Sequence, residues 1–472
     1  MPYHLPSTYE LSDNPNMDRI KRFFEPSPAY APVDTAPEQE EEEEDDSSSQ
    51  TFDEGHELPF SWLEYLIFLL LGVAMLWAWN MFLAAAPYFQ SRFQSSTWIL
   101  NHFQAAEISV STITNLVSMV VLSKLQKNAS YPKRISASLV INAICFTILA
   151  ISTLVKTSAG VYFGFLLVAI FAASLSTGLI QNGVFAFASG FGRGEYTQAI
   201  MTGQAVAGVL PPLTQIISVV ATSKPGRSGD AAASSNTSAF IYFITATVIS
   251  ILALLAFFYL LRRNAQAEAL RSAKDTAVHG TNEGDMAASY HSSASTSERT
   301  PVGLWVLFRK LPFLSLGVFT CFAVTMMGFP VFTASIFSVS GIDRAIFIPL
   351  AFLIWNAGDL VGRLVTISPK LSLTHYPVAL LCISGARLVF IPLYFLCNIK
   401  HRGAIVASDF FYLFIVQFLY GLTNGYVGSE CMMGAGEWVG PEEREAAGGF
   451  MGLMLVGGLT AGSLLSFALG DV

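Results

Sequence analysis

One long apolar segment of the chain is interrupted by a stripe of polar side chains. Residues 346–366 are long and apolar enough to cross a bilayer, yet they contain Asn356, Asp359 and Arg363. With Phe352, these residues are spaced i, i+4, i+7 and i+11, so a helix would place them on one face. An ionisable group inside a membrane is costly unless it is paired or hydrated, and it therefore usually marks a substrate or ion path. The alternative is an i,i+4 ion pair that only holds helices together.

The composition that surrounds this stripe is typical of a membrane protein. The 472 residues are 53% hydrophobic and only 13% charged, with a mean hydropathy of +0.51, which excludes an ordinary soluble enzyme. Hydropathy predicts an all-α membrane protein with eleven transmembrane helices. We expect these helices near residues 62–88, 97–123, 135–156, 160–188, 197–221, 238–261, 311–340, 345–367, 376–397, 409–433 and 447–469.

Two segments lack an apolar pattern and divide the chain. Residues 1–60 hold 16 acidic residues against three basic ones and are predicted to be a disordered cytosolic tail. Residues 263–310 are predicted to be a cytosolic linker, disordered over 264–303, where Ser, Ala, Thr and charged residues dominate. The linker would separate an N-terminal bundle of six helices, 61–262, from a C-terminal bundle of five, 311–472. Transporters whose halves rock about a midplane site have this layout.

The distribution of basic residues predicts the orientation in the membrane. With the N-terminus in the cytosol, the cytosolic loops hold 14 Lys and Arg residues and the opposite loops hold seven. Basic residues are favoured in cytosolic loops, so we expect a lumenal or extracellular C-terminus. The sequon at Asn236 would then carry a glycan, whereas the sequon at Asn128 would face the cytosol and stay unmodified. A vacuolar-type or plasma membrane is expected.

Motifs for catalysis or metal binding are not found in the sequence. All five cysteines lie in or beside predicted helices without a CxxC pair, so neither a disulfide framework nor a zinc site is predicted. The sequence contains no HExxH, GxSxG or P-loop motif. We therefore expect no enzyme activity, no cofactor and no metal, and we expect no nucleic acid as a partner.

Glycines and prolines predict where helices come close or bend. In the fifth predicted helix, Gly203 and Gly208 form a face of small residues on which another helix backbone can pack closely. The pair Pro211-Pro212 should break or bend the same helix. In the seventh predicted helix, Gly328-Phe329-Pro330 predicts a kink, which either gates a path or only serves packing.

Further ionisable residues fall inside predicted helices, among them Glu64, Glu107, Arg387 and His102. Glu107 is either a proton site or the partner of a base such as Arg387, and Arg387 itself is expected to be a structural anchor. His102 is the only histidine in a predicted helix. Polar amides elsewhere in the helices are expected mainly to bond neighbouring helices.

Several motifs occur together, in an order that resembles the equilibrative nucleoside transporters. The resemblance covers about residues 62–472. The motifs are Trp79-Asn80 with Pro87-Tyr88-Phe89, Gln181-Asn182-Gly183, Gly203-Gln204-x-x-Ala207-Gly208, Asn356-x-x-Asp359-x-x-Gly362-Arg363, Ala386-Arg387-Leu388-Val389-Phe390 with Cys397-Asn398, Asn424-Gly425-Tyr426, and Pro441-x-Glu443-x-Glu445-x-Ala447-Gly448. The family has eleven spans, so the resemblance implies a major-facilitator-like fold of six plus five helices in two bundles.

The resemblance also implies roles for individual residues. Asp359 and Arg363 would contact the ribose and base of a nucleoside in a central cavity, and Gln181 would hydrogen-bond the base. This chemistry fits a neutral ligand, because its hydroxyl groups suit a carboxylate acceptor and its ring nitrogens and carbonyls suit guanidinium and amide donors. By the same resemblance, an apolar wall for the flat base is formed by Leu76, Trp79, Leu83 and Leu459. The outer constriction is formed by Phe329, Pro330, Phe352 and Asn356, and Asn356 also belongs to the substrate-binding set.

The predicted function is facilitative transport of purine and pyrimidine nucleosides by alternating access, by a monomer in the lipid bilayer. One alternative is another facilitator-class carrier, for nucleobases, sugars or amino acids, with or without proton coupling. Against it, residues 124–134 lack the G-x-x-x-D-R-x-G-R-R motif usual in that class. A receptor or channel is a further alternative, but it would not need an acid and a base on one stripe. The chain departs from the family that it resembles at three positions. Leu83 stands where mammalian members often have methionine, and His102 and Glu107 match no family position of known role.

Overall fold

The computed structural model describes residues 60–126, 129–222, 231–279 and 302–470. All eleven predicted spans are helical in it. We label them α1 Trp62–Phe93, α2 Thr97–Lys124, α3 Tyr131–Ser152, α4 Ala159–Ser189, α5 Gly194–Thr222, α6 Ala231–His279, α7 Pro312–Ser335, α8 Arg344–Val365, α9 Pro377–Phe395, α10 Leu419–Gly434 and α11 Arg444–Gly470. The expected all-α membrane fold is confirmed.

Ten of these helices are long and apolar enough to cross a membrane. The exception is α10, whose α-helical part has 16 residues because it follows a π-helical segment, Phe411–Phe418. Two others are irregular. The backbone of α1 has a turn at Ala85, and α9 contains a 3₁₀ turn over Arg387–Val389.

The structure differs from the sequence-based expectation at two places. First, α6 continues to His279, so residues 264–279 of the predicted linker are helical. Residues 280–301 and the predicted acidic tail over 1–59 lie outside the described residues. Second, α5 runs through Pro211 and Pro212 without a break. Proline in a helix interior removes a backbone donor and either kinks or breaks the helix, so of the two expected outcomes it is the break that does not occur.

One apolar core joins the two halves, α1–α6 and α7–α11, at the end of the bundle that carries the α6–α7 connection. We call this the linker end. Residues from both halves contribute, among them Phe68 of α1, Met201 of α5, Phe322 of α7 and Phe450 of α11. Burial of such large apolar side chains is the main source of packing energy in a core. The two halves are therefore packed together at the linker end.

At the opposite end of the bundle, each half has a core of its own. The core of the first half contains Phe82, Phe146 and Phe243. The core of the second half contains Phe332 and Tyr412. Among the described residues, these two clusters are separate from each other and from the shared core. The apolar packing between the halves thus belongs to one end of the molecule.

Glycines allow the closest helix contacts in the second half. A Cβ atom added to Gly425 of α10 would lie 1.9 Å from the carbonyl oxygen of Asp359 in α8, and one added to Gly362 would lie 2.1 Å from that of Leu422. Gly358 and Gly421 are in similar contacts. Small residues of this kind let two backbones touch. The position of the polar stripe on α8 is therefore fixed directly by α10.

Candidate functional site

The centre of the candidate site is a buried ion pair on α8. Nε of Arg363 donates to Oδ2 of Asp359 at 2.9 Å, and both side chains are buried. Nη1 of Arg363 donates to the carbonyl oxygen of Met201 and, at 3.4 Å, to Oε1 of Gln204, both on α5. Because α5 belongs to the first half and α8 to the second, this guanidinium connects the two halves.

The second oxygen of Asp359 is held by α10. Nδ2 of Asn424 donates to Oδ1 of Asp359 at 2.6 Å. Oδ1 of Asn424 accepts from the hydroxyl of Thr325 in α7 at 2.6 Å, and that hydroxyl accepts from Nη2 of Arg387 at 2.7 Å. A continuous hydrogen-bonded chain therefore runs from Arg363 to Arg387 through four helices of the second half.

Arg387 is a buried anchor within the second half. Beyond Thr325, it donates to the carbonyl oxygens of Cys321 and Tyr420 and to the hydroxyl of Thr423. The guanidinium also lies 4.9 Å from the ring centre of Tyr420. The pairing with Glu107 considered from the sequence does not occur, because Arg387 bonds within the second half and Glu107 lies on α2 of the first.

Gln181 lies on the first half and is buried in α4. Its Oε1 accepts from Nδ2 of Asn115 in α2 at 3.3 Å. The hydrogen bonds of Asp359 and Arg363 described above go to α5 and α10 rather than to α4. The structure thus brings Asp359 and Arg363 together on α8. Gln181 lies apart from them, in the contact between α2 and α4 of the first half.

Further polar residues of α5 complete the contact with α8, and one of them was missed in the sequence. Nε2 of Gln198 donates to the carbonyl oxygen of Arg363 at 2.9 Å, while its Oε1 accepts from the hydroxyl of Tyr65 in α1 at 2.7 Å. A polar residue near the beginning of a helix has no distinctive spacing, so only its partner in another helix identifies it. Gln204 was visible in its glycine-containing motif.

The residues expected to form the outer constriction lie close together at the opposite end. Phe329 of α7 makes an edge contact with Phe352 of α8, with ring centres 5.1 Å apart. It also stacks on Trp355 at 3.8 Å, a residue that sequence reasoning missed. Asn356 donates to the carbonyl oxygen of Phe352, and its Oδ1 faces Gly208 of α5. Pro330 follows Phe329 within α7.

The residues expected to form the apolar wall lie on one face of α1. Leu76, Trp79 and Leu83 are spaced i, i+3 and i+7, and they are partly or largely exposed, with Leu83 at 46%. The intervening Phe82 is buried in the core of the first half. Leu459 of α11 is partly buried against the shared core. This face of α1 is thus available to a ligand or to lipid.

The site offers hydrogen-bond donors and acceptors but no metal-binding cluster. Among the described residues, no three His, Cys, Asp or Glu side chains are grouped so that they could hold a metal ion. The arrangement suits recognition of a neutral polar molecule by a paired carboxylate, a guanidinium and amides.

Comparison with known proteins agrees with this chemistry. The family model described as nucleoside transporter matches residues 166–470. The nucleoside transporter FUN26 of Saccharomyces cerevisiae is 29% identical over 438 residues, which cover 86% of this chain and 83% of that protein. Equilibrative nucleoside transporter 1 of Rattus norvegicus is 30% identical over 454 residues, covering 86% and 96%.

Solved structures show the same fold at low sequence identity. The proton:xylose symporter XylE of the major facilitator superfamily aligns with a TM-score of 0.53 at 15% identity, covering 86% of this chain and 87% of the other. The human organic anion transporter MFSD10 aligns with a TM-score of 0.54 at 12% identity, covering 86% and 93%. The fold is thus of the major facilitator type. The match of the family model over most of the chain, together with these relatives, shows that the chain belongs to the equilibrative nucleoside transporter family.

Proposed function

We propose that this chain carries purine and pyrimidine nucleosides across a membrane by facilitated diffusion, through alternating access of its two halves. The observation that carries this proposal is the packing of the halves, which share one core at the linker end and have separate cores at the opposite end. Carriers of this architecture rock about a midplane site. The conformation described here corresponds to the state that is closed at the linker end.

The ion pair of α8 is the proposed recognition site for the ligand between the halves. Each carboxylate oxygen of Asp359 accepts one hydrogen bond from the protein, and an ionised oxygen has room for a second donor such as a ribose hydroxyl. Arg363 uses Nε and Nη1 for its hydrogen bonds to the described residues, so its Nη2 can donate to a base or hydroxyl oxygen of the ligand. We therefore assign sugar recognition to Asp359 and recognition of a ligand oxygen to Arg363.

The remaining substrate contacts are proposed on the first half. Gln181 uses Oε1 to bind Asn115, so its amide nitrogen is assigned to a base acceptor. Among apolar side chains, Trp79 is the best surface for a flat base. Leu76, Leu83 and Leu459 would complete the apolar wall. Phe329, Pro330, Phe352 and Asn356 would close the path at the opposite end.

The environment of the carrier is inferred from charge and chemistry. We propose that the linker end faces the cytosol, since the loops expected there hold most of the basic residues. The opposite end would face the lumen of a vacuolar-type compartment or the outside of the cell. Asn236 is exposed and would carry a glycan there. The proposed unit of transport is a monomer.

The direct test is counterflow of labelled adenosine and uridine in proteoliposomes that contain the purified chain. Saturable counterflow by the wild type is expected, and its absence would argue against a carrier. Asp359→Ala should abolish counterflow. Asp343→Ala is the matched control, because Asp343 is a carboxylate of the same helix that only caps its beginning through the amide of Ala345. Normal counterflow by Asp359→Ala would remove Asp359 from the site.

A further inference from the structure

A buried carboxyl group in α2 takes no part in the site described above. Glu107 is 4% exposed, and its Oε1 has no hydrogen-bond partner among the described residues. It lies 10 residues after Thr97 and 17 before Lys124, the ends of α2. At the rise of an α-helix, these separations are about 15 Å and about 26 Å. Glu107 therefore lies well inside the spanning helix, nearer to its beginning at Thr97 than to its end at Lys124.

No cation is positioned to neutralise Glu107 among the described residues. The helices packed against α2 are α4, α11 and the last segment of α1, Ala86–Phe93. Their titratable and charged groups, with those of α2 itself, are Tyr162 of α4, Arg444 and Glu445 of α11, Tyr88 and Arg92 of α1, and His102 and Lys124 of α2.

Each of these basic groups either contacts a group other than Glu107 or lies at the linker end. Arg92 bonds the carbonyl oxygen of Val155 and lies over the ring of Tyr162. His102 is exposed, donates one hydrogen bond to the carbonyl oxygen of Trp98, and stacks on that indole. Lys124 and Arg444 lie at the linker end. Glu107 is therefore buried without a counter-ion.

A column of polar side chains leads from Glu107 towards Gln181. Ser111 and Asn115 follow Glu107 on the same face of α2, at i+4 and i+8. The hydroxyl of Ser174 in α4 lies 3.0 Å from that of Ser111, and Asn115 bonds Gln181 at 3.3 Å. Oδ1 of Asn115 also has no partner among the described residues. Polar groups in a spanning helix pair are thus concentrated between the carboxyl and the proposed base-recognition residue.

We propose that Glu107 is a proton-binding site and that its protonation governs transport through this column. The proton comes from water and converts the carboxylate to the neutral acid. An ionised carboxylate in this position would be buried without compensation, so the packing seen here stabilises the neutral acid. The inference rests on the proposed carrier function and adds a proton dependence to it.

The position of α2 explains how proton release would be linked to the transport cycle. α2 contacts α11 across the boundary between the halves, and a Cβ atom at Gly452 of α11 would lie 3.2 Å from the methyl group of Met119 in α2. Rocking of the halves must change this contact. The alternative state of the carrier would hydrate the α2 face and release the proton from Glu107.

The direction of the pH effect follows from these roles. If the neutral acid is required for the state described here, the transport rate must fall as rising pH removes the proton. Glu107→Gln keeps the size of the side chain and stays neutral at every pH, so it imitates the protonated form. This variant should therefore transport at both low and high pH.

The experiment measures adenosine counterflow in proteoliposomes with equal pH on both sides, from about pH 5.5 to about pH 8, the range in which buried carboxyl groups titrate. The wild-type rate should fall several-fold across this range, whereas that of Glu107→Gln should stay constant. His102→Gln is the matched control, since it removes the other titratable group of the same helix, and it should keep the wild-type profile.

The outcomes separate this inference from the proposed function. Saturable wild-type counterflow that does not depend on pH would overturn the proton site but leave the carrier intact. A pH profile that is retained in Glu107→Gln, or lost in His102→Gln, would also overturn it. If Glu107→Gln does not fold, Glu107→Asp replaces it. If the pH profile of counterflow by Glu107→Asp is shifted along the pH axis relative to the wild type, the proton site is supported. A profile identical to that of the wild type opposes it.

Discussion

Nδ2 of Asn424 lies 2.6 Å from Oδ1 of Asp359, on the opposite side of the carboxylate from Arg363. Both oxygens accept hydrogen bonds from the protein, which is the pattern of an ionised carboxylate. In the role proposed for Asp359, this acceptor is oriented before the ligand arrives. A site held in this way loses little entropy when it binds, which is how rigid supporting residues contribute to recognition.

The ion pair makes different predictions for stability and for transport. Arg363→Ala leaves a buried, unpaired carboxylate, so we expect a loss of about 3–5 kcal/mol in unfolding free energy. The double variant Asp359→Ala/Arg363→Ala removes both charges and should unfold at a higher temperature than Arg363→Ala. Both should lack counterflow. Thermal unfolding in detergent and counterflow test the two properties separately, and transport by the double variant would contradict the assigned role.

Asn424 is expected to act through Asp359. Asn424→Ala removes one bond to the carboxylate and leaves the hydroxyl of Thr325 with the carbonyl oxygen of Cys321 as its acceptor, so a cost of about 1–3 kcal/mol is expected. Asn424→Asp should be worse, because it places two carboxylates in hydrogen-bond contact. The measurement is the KM for adenosine beside the unfolding temperature. If Asn424→Asp transports as well as Asn424→Ala, the contact with Asp359 is not important.

The glycine contact between α8 and α10 should tolerate no side chain. Gly425→Ala would place a methyl group against the carbonyl oxygen of Asp359, and overpacking of this kind typically costs about 1–3 kcal/mol or more. Gly385→Ala in α9 is the matched control, since a Cβ atom added there would meet nothing within 4 Å. Size-exclusion profiles and unfolding temperatures should show a defect in the first variant alone. If Gly425→Ala and Gly385→Ala had the same size-exclusion profile and unfolding temperature, α8 and α10 would be able to move apart at little energetic cost.

Glycan mapping tests the orientation. We expect peptide N-glycosidase to change the mobility of the wild type expressed in a eukaryotic host and not that of Asn236→Gln. Asn128→Gln is the control and should behave as the wild type. A glycan lost in Asn128→Gln instead would reverse the proposed topology and place the linker outside the cytosol.

The sequence predicted the contacts that lie within one helix. Asp359 and Arg363 are four residues apart, so their pairing follows from helix geometry alone. The bond from Asn424 and those to Gln204 and Met201 join helices far apart in the chain. Their partners depend on how whole helices pack, which spacing along the chain does not reveal.

Local irregularities of the helices could not be predicted from the sequence either. The π-helical segment before α10 contains Gln417 and Tyr412, five residues apart, and Nε2 of Gln417 donates to the hydroxyl of Tyr412 at 2.7 Å. The same nitrogen donates to Thr333 of α7 at 2.8 Å. A π-helical turn is retained where tertiary contacts compensate for its cost, and such contacts are not visible in hydropathy. Likewise, the polar composition after Arg263 indicated disorder, although α6 continues there to His279.

The length of α6 has a practical consequence for imaging. Its 49 residues correspond to about 73 Å of helix, whereas the hydrocarbon core of a bilayer is about 30 Å thick. The last polar turns, up to His279, therefore form a stiff rod continuous with a spanning helix. A small folded domain fused in register to this rod would rotate with the carrier. Such a marker would project from the detergent micelle that surrounds the bundle, and it would give electron microscopy a feature by which particles can be aligned.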